Sequence, residues 1–198
     1  RVPDGPWENP SYTFLVGRAL YEVGEIEKSR PFIEEAARLD PAHVDAHYYV
    51  GLLRDEAGDA RGAVEAFLRS RSIDASKAPP VWAPSPEGFS VVVRKVIAGL
   101  DVILSRYVRE AEVYVVDLPG AELVVDGVDP RALVILDTPP TDDGERRFVR
   151  LFVYQRNVER AAGSLSALEE ELATALEREV TSVFLDGDAK AGATHGLN

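Results

Sequence analysis

The chain has 198 residues, of which 45% are hydrophobic and 28% charged, so it is long enough for one large or two small folded domains. Its formal net charge of -12 argues against a general nucleic-acid or anionic-membrane surface. It contains no cysteine, which excludes disulfides, thiolate zinc sites and cysteine catalysis. No apolar run is as long as a membrane span and nothing at the start reads as a signal peptide, so we expect a cytoplasmic protein without nucleic-acid or membrane partners.

The first pattern along the chain is an internal repeat. Gly17 and Gly51 are 34 residues apart, and so are Gly24 and Gly58. The first pair predicts places where two helices cross closely, because a small residue lets the backbones approach. The second pair predicts the turns between those helices.

A period of 34 residues with helix-turn-helix patterning resembles the tetratricopeptide (TPR) repeat over about residues 10–76. The resemblance implies two helical hairpins, at about residues 10–43 and 44–76, within an N-terminal segment 1–76. Two repeats are fewer than the three or so that normally stand alone, so the exposed end of the stack needs a cap. That cap could come from residues before Arg1, from the C-terminal domain or from another subunit.

The TPR resemblance also places a set of side chains in the inner groove of the repeats. The residues that we assign to partner binding are Phe14, Arg18, Tyr21, Asp45, Tyr48, Leu52 and Asp55. Such an aromatic and acidic groove would suit a basic, apolar peptide. We expect Phe14 and Tyr48 to be solvent-accessible, because aromatic anchors usually dominate interfaces of this kind. The alternative is a groove that is too short to bind and that packs against the second domain.

His43 and His47 lie four residues apart, a spacing that could suggest a metal site. His43 stands at the start of a predicted helix, and His47 takes the position where TPR repeats often have Trp. Because no third ligand is evident, we predict packing or capping roles for both.

Residues 77–88 are rich in proline and predict an extended linker. From residue 89 to about 107 we predict one apolar helix. Short β-branched segments then follow, separated by turn residues, and they are typical of strands. The predicted strands are residues 113–116, 123–125, 133–136 and 148–154.

A final helix is predicted to start with Ser166 as its N-cap and with Glu169 completing a capping box. Its buried face would consist of Leu168, Leu172, Leu176, Val180 and Val183. Residues 186–188, Asp-Gly-Asp, would end this helix. We expect the tail at 189–198 to be disordered.

Two stretches of the second half carry a family resemblance. Residues 154–160 read Tyr-Gln-Arg-Asn-Val-Glu-Arg, and residues 176–179 read Leu-Glu-Arg-Glu. With the order helix, strands, edge strand and motif helix, they resemble the small bacterial zincin-like metallopeptidases over about residues 89–188. The resemblance implies a zincin-like α/β domain with a small mixed sheet and flanking helices. The whole chain is then an α+β protein.

The signature of that family is His-Glu-x-x-His, in which two imidazoles hold zinc and the Glu is the general base. By the resemblance, Glu179 falls on the general-base position and Asp188 on a third, acidic ligand position. Arg178 and Ser182 fall on the two histidines. Because Arg does not lose its proton and Ser is a poor zinc ligand, we expect a vestigial site without metal or cofactor.

Two roles for Arg178 follow from this alignment. Its guanidinium could fill the vacant metal position, in a pocket beside the edge strand that ends at Tyr154, and pair with Asp188 or Glu179. Alternatively, Arg178 is a surface residue near the C-terminus of its helix, where a cation is favourable.

These patterns predict a non-catalytic adaptor or regulatory scaffold, a pseudo-metallopeptidase with a TPR surface for a protein or peptide partner. The oligomeric state stays open. The alternative is a zinc-dependent metallopeptidase with unconventional ligands around Glu179 and Asp188.

Overall fold

A computed structural model describes residues 5–138 and 149–186, the last without its side chain. The described residues form an α+β structure of helices and a three-stranded mixed sheet. In chain order the elements are α1 (Pro10–Glu22), α2 (Ile26–Leu39), α3 (Val44–Glu56), α4 (Ala60–Ser76), α5 (Pro86–Gly99), α6 (Val102–Val108), β1 (Glu112–Val116), α7 (Ala121–Val125), β2 (Val134–Asp137), β3 (Arg150–Tyr154), α8 (Gln155–Ala162) and α9 (Leu168–Val180). Among the described residues, no helix combines the length and the apolar character needed to cross a membrane.

The chain divides into two compact units. Residues 5–78 and 119–130 form the first unit, and residues 79–118, 131–138 and 149–186 form the second. The first unit therefore takes a segment from a part of the chain that we assigned to the second domain. The second unit in turn includes most of the predicted linker, because Ser85 caps α5 and Trp82 packs against the core of this unit.

Two antiparallel helix pairs, α1 with α2 and α3 with α4, make up most of the first unit, and α2 packs on α3. Gly24 and Gly58 lie in the turns within the pairs, with φ values of 83° and 77°. These values fall in the left-handed region, where a side chain is strained and glycine is favoured. The prediction of turns at these two glycines is confirmed.

The close helix crossings are also confirmed. A Cβ atom at Gly17 would lie 2.8 Å from a side-chain carbon of Ile33 on α2. A Cβ atom at Gly51 would overlap the ring of Phe67 on α4. At both crossings a larger side chain would force atoms of the partner helix, mainly side-chain atoms, to shift.

Residues 119–130 cover the outer face of the second helix pair. Helix α7 packs against α4, with Val124 as its buried residue. The Arg71 Nε donates a hydrogen bond to the carbonyl of Pro119, and the Tyr48 hydroxyl donates to Asp129 at 3.0 Å. This cover comes from a segment that the sequence placed in the C-terminal domain but that the structure places in the first unit.

The strand predicted at 123–125 is wrong, because these residues belong to α7. A run of three apolar residues fits one helical turn as well as a short strand. Within this run Val124 is buried, Leu123 is half-buried and Val125 is 56% exposed, as expected where one face of a helix contacts α4.

The sheet of the second unit has the order β1-β3-β2. β1 runs parallel to β3, and β2 runs antiparallel to it. The strands predicted at 113–116 and 133–136 are confirmed within one residue. The strand predicted at 148–154 is β3, although residue 148 lies outside the described residues. Its predicted edge position is wrong: β3 is flanked on both sides, with Leu151 and Val153 fully buried.

Two helix predictions for this unit need correction. The single helix predicted from 89 to 107 is two helices, because the Asp101 side chain accepts a hydrogen bond from Ile103 N at 2.8 Å and starts α6. The predicted capping box at Ser166 is absent, since α9 follows a short 3-10 turn and its N-cap is Ala167. The helical path then continues through a π turn to Asp186.

The core of the second unit lies between α5, α9 and the sheet. The α9 stripe predicted from its spacing is buried as expected, except that Val183 is half-buried. Phe89 and Val93 of α5 face this stripe within one apolar cluster. Fully burying side chains of this size contributes about 1.5–3 kcal/mol each.

The role of residues 119–130 as a cap can be tested with a matched pair of substitutions. Val124→Ala removes two methyl groups from a residue that is 1% exposed, and we expect it to weaken the docking of α7 on α4 by about 1–3 kcal/mol. Val125→Ala, at the exposed neighbour, should have little effect. Amide hydrogen exchange read by mass spectrometry should quicken in α4 and in 119–130 for the first variant alone. Equal exchange in both variants would contradict the cap.

Candidate functional site

The predicted metal positions lie on α9 and on the turn that follows it. The four leucine and valine residues at a spacing of four along α9 face the core, and each is no more than 1% exposed. Positions between them must point sideways or outward. Arg178 and Ser182 are both exposed, as this geometry requires.

The Arg178 side chain has no hydrogen bond or ion pair with another residue in the described part of the chain. Asp188, one of the two partners proposed for it, lies outside the described residues. Glu179, the other, is engaged elsewhere. The observed exposure is that of a surface cation in the last turn of α9, which is a favourable place for a positive charge.

Glu179 is half-buried and accepts a hydrogen bond from the backbone N of Leu136 at 3.0 Å. Leu136 belongs to β2, an edge strand of the described sheet. Tyr154 N donates to Leu133 O, so Leu133 directs its backbone groups toward β3. In an antiparallel pair this direction alternates from one residue to the next, and the N–H of Leu136, three residues on, therefore points away from β3. The carboxylate therefore satisfies a donor at the sheet edge and ties α9 to β2.

A second polar cluster lies where β3 leads into α8. Gln155, Asn157 and Glu159 are each at most 6% exposed. The Gln155 side-chain amide donates to Pro84 O at 3.0 Å and to Glu159 Oε1 at 2.7 Å. The Asn157 amide donates to Ala132 O at 2.8 Å. Residues 155–159 thus anchor two loops of the second unit.

Glu159 is the one member of this cluster that titrates. Its burial raises the pKa of the carboxyl group above its usual range, against the opposing effects of the Gln155 hydrogen bond and of Arg156. The Oε2 atom is buried and has no hydrogen-bond partner among the described residues. A protonated carboxyl fits this environment better than a charged one.

In the first unit, four aromatic rings form a cluster on α1 and α3. Tyr49 lies at its centre, with ring centroids 5.5 Å from Phe14, 5.3 Å from Tyr21 and 5.9 Å from Tyr48. Tyr49 was not among the binding residues predicted from the sequence, although the adjacent tyrosines at 48 and 49 near the middle of a helix could have indicated it.

The hydroxyl groups of these tyrosines point at carboxylates. Tyr21 donates to Glu56 at 2.6 Å and Tyr49 donates to Glu22 at 2.9 Å. With the Tyr48 bond to Asp129, these pairs define what we call the tyrosine–carboxylate face: Tyr21, Tyr48, Tyr49, Glu22, Glu56 and Asp129. Each carboxylate keeps further lone pairs that can accept hydrogen bonds from a cation.

The charges on this face are mutually stabilised. The Arg18 guanidinium, which donates to Glu22 at 2.7 Å, and the Tyr49 hydroxyl lower the pKa of the Glu22 carboxyl below its usual range. Burial and then the Glu56 hydrogen bond raise the pKa of the Tyr21 hydroxyl. Glu22 thus stays an acceptor, and Tyr21 stays a donor, across the neutral pH range.

The predicted groove residues differ in their exposure to solvent. Phe14 is 4% exposed, so the prediction that it is solvent-accessible is wrong: its ring packs against Tyr49 and His43 instead. Tyr48 is half-buried. Of the other members of the predicted set, Arg18 and Asp55 are exposed, and Tyr21, Asp45 and Leu52 are half-buried.

The two histidines have structural roles. His43 Nδ1 accepts a hydrogen bond from Ala46 N at 3.2 Å and caps α3, as predicted. His47 Nε2 lies 3.1 Å from Pro41 O. Within residues 5–138 and 149–186, no three His, Asp or Glu side chains converge in a way that could hold a metal ion.

Comparison of the chain with known proteins found no relative. No protein-family model matches the sequence, and neither the curated proteins nor the solved structures gave a match.

The raised pKa of Glu159 predicts a pH dependence with a definite sign. An acid whose pKa is raised on folding contributes stability at low pH, and this contribution is lost as the pH rises through the folded-state value. Glu159→Gln should therefore be more stable relative to the native protein at about pH 8 than at about pH 4. Urea unfolding of both proteins at the two pH values measures this difference. Glu170→Gln, at an exposed position of α9, is the control. A difference that does not change with pH contradicts the prediction.

Proposed function

We propose that this protein is a non-catalytic adaptor, in which two TPR-like helical hairpins bind a partner and a zincin-like domain serves as an inactive platform. The observation that carries the proposal is the hydrogen bond from Leu136 N to Glu179. In an active zincin the matching carboxylate is the general base beside a metal-bound water. Here that carboxylate holds a helix to the edge of the sheet.

The neighbouring positions support the same interpretation. Arg178 and Ser182, which align with the two histidines of the zincin signature, are exposed and carry no group that binds zinc well. Without two imidazoles the site has neither the ligand set nor the activated water that peptide hydrolysis needs.

The TPR-like assignment of the first unit is supported by its geometry. The two helix pairs have their close crossings at Gly17 and Gly51 and their left-handed turns at Gly24 and Gly58. A short stack of this kind needs a covered end, and residues 119–130 supply that cover.

The binding surface that we propose is the tyrosine–carboxylate face with the exposed Asp55 beside it. Its tyrosine rings offer flat apolar area, and its carboxylates offer hydrogen-bond acceptors and negative charge. A peptide with alternating aromatic or aliphatic and Lys or Arg side chains complements both features. The partner would thus be a basic, apolar segment of another protein.

This surface can be tested with a defined probe. A fluorescein-labelled peptide Lys-Phe-Ser-Leu-Lys-Tyr-Ser-Lys should bind the full chain, and its affinity should fall with added salt. Asp55→Lys with Glu56→Lys should weaken binding about tenfold, because two attractive charges become repulsive. The matched control, Glu27→Lys with Glu34→Lys on exposed positions of α2, should change it little. Equal losses in both double variants would mean that the whole charge of the protein, rather than this face, attracts the peptide.

The inactive platform has its own test. Protein purified without chelator should contain no stoichiometric zinc, whereas Arg178→His with Ser182→His should bind zinc in isothermal titration calorimetry. A control pair, Glu170→His with Thr174→His, places imidazoles at the same spacing on exposed positions of α9. If a third zinc ligand is available only near Glu179, the variant with His at positions 178 and 182 should bind zinc about tenfold or more tightly than the control.

Either of two results would overturn this part of the proposal. Stoichiometric zinc in the native protein would favour a metallopeptidase with unconventional ligands. Equal zinc affinity in the two double-His variants would leave no remnant of a zincin site around Glu179.

A further inference from the structure

β1 lies at an open edge of the described sheet. It pairs with β3 on one side, and no other described strand pairs with it. Glu112 N donates to Val149 O at 2.9 Å, so the N–H and C=O groups of every second residue, Glu112, Tyr114 and Val116, point toward β3. The N–H and C=O groups of the residues between them, Val113 and Val115, point away from the sheet. These groups can pair with an added strand.

The composition of β1 does not protect this edge. Sheet edges are usually guarded by Lys, Pro, a bulge or very short strands. β1 reads Glu-Val-Tyr-Val-Val, and Val113, Tyr114 and Val116 are 38%, 41% and 39% exposed. A strand with this sequence and this exposure tends to pair with another chain.

A groove of about 390 Å³ adjoins the strand. Its walls come from α5, α6 and the start of β1. The apolar lining consists of Ile97, Ala98, Val108, Ala111 and Val113. Ser105, Arg94 and Arg109 add polar groups at the same groove, so it is suited to a ligand with both apolar and polar parts.

The charge of the groove identifies the complementary ligand. Arg94 and Arg109 are exposed, and neither guanidinium group has an ion pair or hydrogen bond with another residue of the described ranges. Two such guanidinium groups stand out in a chain whose formal net charge is -12. Arginine binds carboxylates through paired hydrogen bonds, so an acidic side chain is the natural complement.

We propose that β1 and this groove bind an extended segment of a partner protein in which an acidic side chain alternates with apolar ones. The segment adds to the sheet as a strand beside β1. Its apolar side chains enter the groove, and its carboxylate is bound by Arg94 and Arg109. This interface is separate from the tyrosine–carboxylate face and from the vestigial zinc positions, so it stands or falls independently of the proposed adaptor surface.

A charge-swap experiment on the full chain tests the groove. The probe is a fluorescein-labelled peptide Thr-Val-Thr-Asp-Thr-Val-Thr, which places Val, Asp and Val on one face of a strand. It should bind the native protein in fluorescence anisotropy, whereas the same peptide with Lys for Asp should not. Arg94→Glu with Arg109→Glu should bind the Asp peptide about tenfold or more weakly and should gain binding of the Lys peptide. Arg106→Glu, on α6 but outside the groove lining, is the control and should behave as the native protein.

The strand pairing is tested on the peptide, which leaves the fold of the protein untouched. N-methyl groups are placed either on the three Val and Asp residues or on three of the Thr residues. Because alternate residues of a strand point their N–H groups to opposite sides, one methylated set should abolish binding and the other should be tolerated.

Three results would overturn the proposal. The first is that the native protein binds neither peptide or both equally. The second is that the double Glu variant keeps the preference for Asp, or that both methylated sets bind as well as the parent peptide. The third is a dimer of the chain in light scattering that Val113→Pro converts to a monomer, which would identify a second copy as the occupant of β1.

Discussion

The apolar stripe of α9 determines what the other residues of that helix can do. Leu172 and Leu176 are fully buried, and with the other members of the stripe they orient the helix on the sheet. Given that orientation, Arg178 must be exposed, and Glu179, which follows it, must lie close to the flank of the core. The hydrogen bond to Leu136 is then the only described way in which the Glu179 carboxylate is satisfied. The exposure of Arg178 and the hydrogen bond of Glu179 therefore both follow from helix geometry.

The position of β3 depends on the same packing. A strand between two neighbours, with α9 packed on the sheet, cannot serve as an open edge, and Leu151, Val153 and Tyr154 of β3 are buried. The chain continues from β3 into α8, where three polar side chains are buried: Gln155, Asn157 and Glu159. Their burial is tolerated because each has a hydrogen-bond partner on a nearby loop or on the same helix. These bonds replace contacts with water and hold the start of α5 and the segment before β2 to α8.

Much of the fold could be predicted from local patterns, and the errors have physical causes. The crossings at Gly17 and Gly51 were predictable because a close backbone approach leaves a repeated small residue in the sequence. The helical conformation of residues 123–125 was not predictable, since three apolar residues are too few to show a helix or strand periodicity. Only packing on α4 decides their conformation. The edge or central position of β3 depends on strand order, which periodicity does not encode. For the candidate sites, sequence reasoning found Tyr48 but missed Tyr49, whose ring links α1 to α3.

The two proposed interfaces have opposite charge preferences, and this difference bears on which partners the proposed adaptor would select. The tyrosine–carboxylate face favours cationic segments, and the groove beside β1 favours anionic ones. A single peptide of either sign is attracted by one interface and repelled by the other, so the two surfaces select different partners rather than two copies of one. Added salt weakens both interactions alike and does not separate them. Reversing charge at Arg94 and Arg109 changes only the second, which makes partner choice, rather than total affinity, the property to measure.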